Sequence, residues 1–200
     1  MKSIKVKILG PVAVLAVLVL VTSAFSILGA GNIEKKGRVI SDQYLATIQD
    51  VSAMSKNTQT LMRLSYNYIL AQGDAAEKKV ETSISQTKQT LENQMADFSN
   101  NLTPEETEAF QKFQSDYQAY LSKYNAMVKY VQTDQNENAS IVANNDLVEM
   151  SSQIETDLEN MIELESSLAD QAVANMESAY ASSMGVGIVC LLLGLVALVA

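Results

Sequence analysis

Between Phe110 and Val131 the chain sets Phe110, Phe113, Tyr117, Tyr120, Tyr124, Met127 and Val131 at alternating intervals of three and four. That spacing places all seven on one stripe of an α-helix. So apolar a stripe needs other helices to cover it, which predicts an all-α chain built as a helical bundle or coiled coil. The surrounding sequence agrees. From Gly31 to Glu177 it is dominated by Glu, Gln, Lys, Ala, Ser and Asn, with Pro104 as its one proline, and so few breakers favour long helices over sheet.

Much of the chain's apolar content is concentrated at its two ends. Lys2, Lys5 and Lys7 lead into residues 8–30, nearly all Val, Leu, Ile and Ala, with Pro11 near the start where a missing N–H is tolerated. This length can cross a bilayer core of about 30 Å as a helix. The lysines favour cytoplasmic retention of the first residues, so the chain is expected to emerge outside. A cleaved signal peptide, with small residues at Ser23, Ala24, Gly29 and Ala30, is the alternative, but its apolar region typically runs only about 7–15 residues. Residues 183–200 are uncharged and predict a second crossing, running back inward and cut by the chain end at Ala200. The expected plan is a cytoplasmic 1–7, a first span 8–30, an extracytoplasmic domain 31–182 and a second span 183–200.

Within 31–182 four helices are expected, at about 33–71, 75–99, 104–132 and 141–182. On the first, Tyr44, Ile48, Val51, Ser55, Thr58, Met62, Ser65 and Ile69 face inward, with Leu61, Leu64 and Tyr68 on an adjacent face. Gly73 reads as the residue just past its end and Asp74 as the N-cap of the next helix. That helix would bury Val80, Ile84, Thr87, Leu91, Met95, Phe98 and Leu102. The Thr103-Pro104-Glu105-Glu106 run predicts a capping box: threonine as N-cap, proline at N1 and glutamate at N3. The polar run from Thr133 to Ser140 is the expected third connection. The last helix would bury Leu147, Met150, Ile154, Leu158, Met161, Leu164, Leu168, Ala172, Met176 and Tyr180. Short turns between four helices dictate an up-down-up-down four-helix bundle flanked by two transmembrane helices. The outer helices are longer than the middle pair and would be thinly packed alone, so a homodimer through the first and last helices is expected.

All 23 acidic residues lie between Glu34 and Glu177, against 11 of the 14 basic ones, a balance of −12. This argues against nucleic-acid binding, which leaves a basic footprint. The last helix holds nine acids from Asp146 to Glu177 without one Lys or Arg, and Glu149, Glu155, Glu159 and Glu163 form a solvated negative stripe. There is no His, and Cys190 is the one cysteine, so no disulfide, thiolate metal site or Ser-His nucleophile is available within the chain. Phosphate-binding glycine loops are missing as well. No enzymatic activity, cofactor or metal is expected. Arg63 is the lone arginine on the outer part of the first helix and, with Tyr66 and Asn67, is the candidate contact for a ligand carboxylate; a solvated surface arginine is the plainer reading.

The lysines before residues 8–30, the Leu64–Asp74 stretch LSYNYILAQGD, the Leu102–Tyr124 stretch LTPEETEAFQKFQSDYQAYLSKY and the acidic last helix running into Gly185–Ala200 together resemble the input half of bacterial methyl-accepting chemotaxis receptors, in the class with a four-helix-bundle extracytoplasmic domain. The resemblance implies a ligand sensor, homodimeric through its first and last helices. It recognises a small molecule or a binding protein, and its second span leads to a HAMP relay and a hairpin that engages a coupling protein and a histidine kinase. Those cytoplasmic parts are absent here. Sensor domains of some histidine kinases and cyclases share these loose motifs. A structural or partner-binding membrane-tethered stalk is the reading from another class.

Overall fold

The computed structural model describes residues 4–71, 73–100 and 102–199. Lys2, Gln72, Asn101 and the terminal Ala200, which enter the expectations above, lie outside them, as do the side chains of Lys5, Lys7 and Pro11. Among the described residues there is no strand. The helices are α1 (Ile4–Val39), α2 (Ala46–Leu70), α3 (Asp74–Ser99), α4 (Pro104–Gln132), α5 (Asn136–Val142) and α6 (Val148–Val199). Two π-helical turns, Ile40–Leu45 and Ala143–Leu147, join α1 to α2 and α5 to α6 without a break. Two compact units result, one of Leu45–Ser167 and one of Met1–Tyr44 with Leu168–Ala200.

The first unit is the four-helix bundle. Asn57 donates to Gln94 and Tyr68, eleven residues further along α2, to Glu81, so α2 and α3 run antiparallel. Lys112 meets Asp157 and Lys123 meets Asp146, which fixes α4 antiparallel to the last helix in the same way. The aromatic stripe lies at the centre: Phe110, Phe113, Tyr117, Tyr120, Tyr124 and Met127 are all buried, with Val131 packed at their edge. Its rings form a ladder, Phe98 to Phe110 at 5.1 Å, Phe110 to Phe113 at 6.1 Å and Phe113 to Tyr117 at 6.3 Å between centroids. Each fully buried large apolar side chain contributes about 1.5–3 kcal/mol, so this one helix supplies a major share of the unit's cohesion. Met54, absent from the expected inward set, is fully buried, whereas Ser55 is only half-buried.

Three local expectations are corrected. The third connection is Thr133–Gln135 and not Thr133–Ser140, because α4 stops in a Schellman turn. Asp134 adopts φ 57°, the Gln135 amide donates to the Tyr130 carbonyl at 2.8 Å and the Asp134 amide to Val131 at 3.1 Å, the paired bonds that end a helix within two residues. The helix then resumes at Asn136, where Glu137 in the first turn complements the positive end of the dipole. At the first turn Gly73 itself is the N-cap of α3 and Asp74 the first helical residue. Gly73, at φ 88°, accepts the Ala76 and Glu77 amides through its carbonyl, a conformation that glycine reaches without a Cβ penalty. Finally, Tyr180 is 54% exposed and not inward.

The capping box forms as expected. Thr103 Oγ1 accepts the Glu106 amide at 3.3 Å and the Glu106 carboxylate accepts the Thr103 amide.

In the second unit α1 and the later part of α6 run side by side. Lys36 donates to the Asn175 carbonyl at 3.1 Å, and Gly37 lies against Met176. A Cβ on Gly29 would stand 2.6 Å from Ser183 Oγ, so the helices approach closely there because glycine permits it. Gly194 rests on Leu15 and Leu18. Both helices are long and apolar enough to cross a membrane. Large apolar side chains such as Leu20, Ile27, Leu28 and Leu191 are exposed, an arrangement that suits lipid and not water.

Candidate functional site

Arg63, Tyr66 and Asn67 occupy the last two turns of α2, and their side chains diverge. Arg63 and Asn67 are exposed. Tyr66 is half-buried and donates to the Ala143 carbonyl at 3.0 Å, where α5 passes into its π turn; burial pushes its phenol pKa up. Its hydroxyl therefore ties α2 to the last helix.

Around these residues the bundle carries a layer of polar contacts. Tyr120 Oη donates to Ser65 Oγ at 2.9 Å, and Ser65 donates on to the Leu61 carbonyl at 2.8 Å. Burial pushes the Tyr120 phenol up to about 12, against the opposing pull of its bond to Ser65. Tyr68 donates to Glu81 at 2.9 Å, and Lys123 pairs with Asp146 at 2.7 Å. A shallow open groove of about 400 Å³ lies along the Glu81–Glu92 face of α3 beside Tyr124. None of Arg63, Tyr66 or Asn67 lines it.

The sequence reading missed the burial of three acids, Asp157, Glu165 and Glu106. Asp157, on the helix expected to present its acids to solvent, is 3% exposed. Its Oδ1 accepts from Lys112 and, at 3.1 Å, from Gln153, while Oδ2 has no protein donor. Lys112 also reaches Asp116 at 3.0 Å. These two bonds raise the lysine pKa, Asp157 first. For Asp116, burial opposes ionisation, but the bonds to Lys112 and Asp157 prevail and its pKa is lowered.

Glu165 is 1% exposed and neither of its carboxyl oxygens receives a hydrogen bond from a donor. Its neighbour is Glu106, itself 4% exposed. Burial, then the hydrogen bond and negative charge of Glu106, push Glu165 up to about 8. Burial opposes ionisation of Glu106 too, yet hydrogen bonds from Glu165 and from the Thr103 amide and hydroxyl hold its pKa below the ordinary value. Two adjoining acids are thus driven apart in proton affinity. The pattern was present in the sequence: Glu165 stands seven residues after Leu158 and four after Met161, Asp157 three after Ile154, and Glu106 four before Phe110. Each continues a core stripe.

Comparison with known families supplies the rest. Residues 1–180 match the model described as "Four helix bundle sensory module for signal transduction". The chain belongs to this family. It is the sensory module of methyl-accepting chemotaxis proteins, which agrees with the resemblance drawn from the Leu64–Asp74 and Leu102–Tyr124 stretches. No curated protein matches the chain.

Proposed function

We propose that this sensory module is the extracytoplasmic ligand-sensing and signal-input part of a bacterial chemoreceptor and that it passes a helix displacement to cytoplasmic HAMP and kinase-control domains outside this chain. The observation that carries the reading is the composition of α6. One helix, Val148–Val199, holds bundle core residues Ile154, Leu158 and Met161 and also the apolar run after Ser183. A helix does not compress along its hydrogen bonds, so a shift imposed on its bundle portion is passed along its length. Family membership and the two apolar helices support a membrane protein. In this reading it crosses twice, with residues 31–182 outside.

The module works as a homodimer through its first and last helices, has no enzymatic activity, and reaches a coupling protein and a histidine kinase through the receptor's cytoplasmic part. Arg63 and Asn67, exposed near the Gly73 turn, offer a cation and an amide to an anionic ligand, with Tyr66 beside them. A ligand biases the receptor only by binding one packing better than the other, and it raises stability with the logarithm of its concentration once that exceeds Kd. A thermal-shift screen of the 200-residue protein in detergent micelles against amino acids, organic acids and amines is expected to return a selective rise in Tm that Arg63→Ala abolishes. A ligand whose effect survives Arg63→Ala, Tyr66→Phe and Asn67→Ala would remove these residues from the site. Modification of a cysteine placed at Gln135 by an impermeant reagent in intact cells tests the orientation.

A further inference from the structure

We propose that Glu106 and Glu165 form a proton-binding site inside the bundle, with a protonated Glu165 donating to an ionised Glu106, and that loss of this proton loosens the first turn of α4 from the last helix. Three features on different footings point to it. Glu165 is sealed from water with both oxygens unpartnered, a state that strongly disfavours an ionised carboxylate. Glu106 supplies an acceptor within reach, and one of its oxygens is already held by the Thr103 amide. The register also brings the two level. Lys112 faces Asp157 and Lys123 faces Asp146, so Glu106, six residues before Lys112, lies level with the turn six residues beyond Asp157, and that turn contains Glu165.

No cation compensates the pair. Among the described residues neither acid has a salt bridge, and the lysine nearest along α4, Lys112, is engaged by Asp116 and Asp157. The other charged groups around this end are solvent-exposed: Glu105 and Glu108 on α4, Glu163 on α6, and Asp97 on α3 beside Phe98, whose ring meets Phe110. On α2, Ser65 faces Tyr120. Two heptads earlier along these parallel helices Val51 comes level with Glu106; it is buried, and Asp50 beside it is exposed. One proton therefore satisfies a carboxyl group that nothing else satisfies. When it leaves to water, two adjoining carboxylates remain in a dry site, and their repulsion acts across the contact between α4 and α6.

The site stands on its own geometry; its use as an input rests on the sensory reading above, and a missing small-molecule ligand would leave it untouched. The test is carbon NMR of the 200-residue protein in lipid nanodiscs with side-chain-carboxyl-labelled glutamate, titrated from pH 4 to 10. One resonance is expected to titrate near pH 8, to vanish in Glu165→Gln, and to move to lower pH in Glu106→Gln, a change that keeps the capping box because glutamine serves at N3. Amide exchange of residues 105–109, corrected for the intrinsic effect of pH, should rise above the midpoint in the wild type and stay flat in Glu165→Gln. If every glutamate titrates below pH 6, or the late resonance persists in Glu165→Gln, there is no proton site. An equal rise in exchange in both proteins overturns the coupling to α4.

Discussion

Lys112 and Asp157 offer the sharpest test of how the bundle tolerates charge. The perturbation is Lys112→Met, which keeps most of the aliphatic stem and deletes the ammonium. Asp157 has a side chain 1% exposed, with Gln153 as its one remaining donor after the change. Breaking a buried ion pair from one side costs about 3–5 kcal/mol, because a charge is left without compensation. Lys112 itself is 55% exposed, so water already screens the pair and about 2 kcal/mol is the better figure. The partner contact to Asp116 is an i,i+4 surface pair, adding about 0.3–0.5 kcal/mol. Urea unfolding of the 200-residue protein in micelles at pH 7, followed by far-ultraviolet circular dichroism, should show this loss. Asp157→Leu in the Lys112→Met background should recover at least half of it, since an apolar side chain suits the site once the cation is gone. A loss below 0.5 kcal/mol, or a double variant worse than Lys112→Met alone, refutes the claim that the lysine compensates Asp157.

Glu165 makes stability fall with rising pH, the reverse of ordinary paired acids. Its folded pKa, about 8, lies above the unfolded value of 4.5. Its contribution is therefore complete below pH 4.5 and is lost as pH climbs through 8, with a slope of up to about 1.4 kcal/mol per pH unit. Glu106, whose pKa is lowered, acts oppositely, and its share disappears as pH drops through its folded value. Denaturation of Glu165→Gln between pH 5 and 8.5 should flatten the profile and leave the variant more stable than the wild type at the upper end; parallel profiles would contradict the assignment. Thr103→Ala removes the hydroxyl that accepts the Glu106 amide and should cost about 1 kcal/mol, measurable as a shifted urea midpoint, whereas Thr107→Val, which removes a hydroxyl bonded only to the Thr103 carbonyl, should cost less. Phe113→Ala, at a fully buried ring stacked on Tyr117, should cost about 3–5 kcal/mol, and a loss under 1 kcal/mol would show that the aromatic ladder is not the core.

The sequence carried the bundle because its signals were redundant. The stripe from Phe110, the Thr103–Glu106 box and the scarcity of breakers all specify helices, and each succeeds without knowledge of the partner. Turn boundaries depend on less. Whether Gly73 closes one helix or opens the next is decided by which amides its carbonyl meets, and whether Thr133–Ser140 is loop or helix by a left-handed Asp134. Both follow from hydrogen bonds that composition does not encode.

The buried acids failed to show for another reason. A glutamate on a helix rich in acids reads as solvated when residue type is weighed alone, yet Glu165 keeps the period of Leu158 and Met161. Position and chemistry conflict there, and such a conflict marks places where stability has been given up. A Leu at 165 would pack with its neighbours and need no proton. An acid there makes the fit between α4 and α6 conditional on solution chemistry, while the ring ladder from Phe110 to Tyr117 makes the rest of the seam unconditional. On the proposal above, a bundle firm along one seam and conditional at one end of it gains a second packing when the proton leaves. Signalling by displacement of a helix requires such a pair of states, and an entirely apolar seam would have removed one of them.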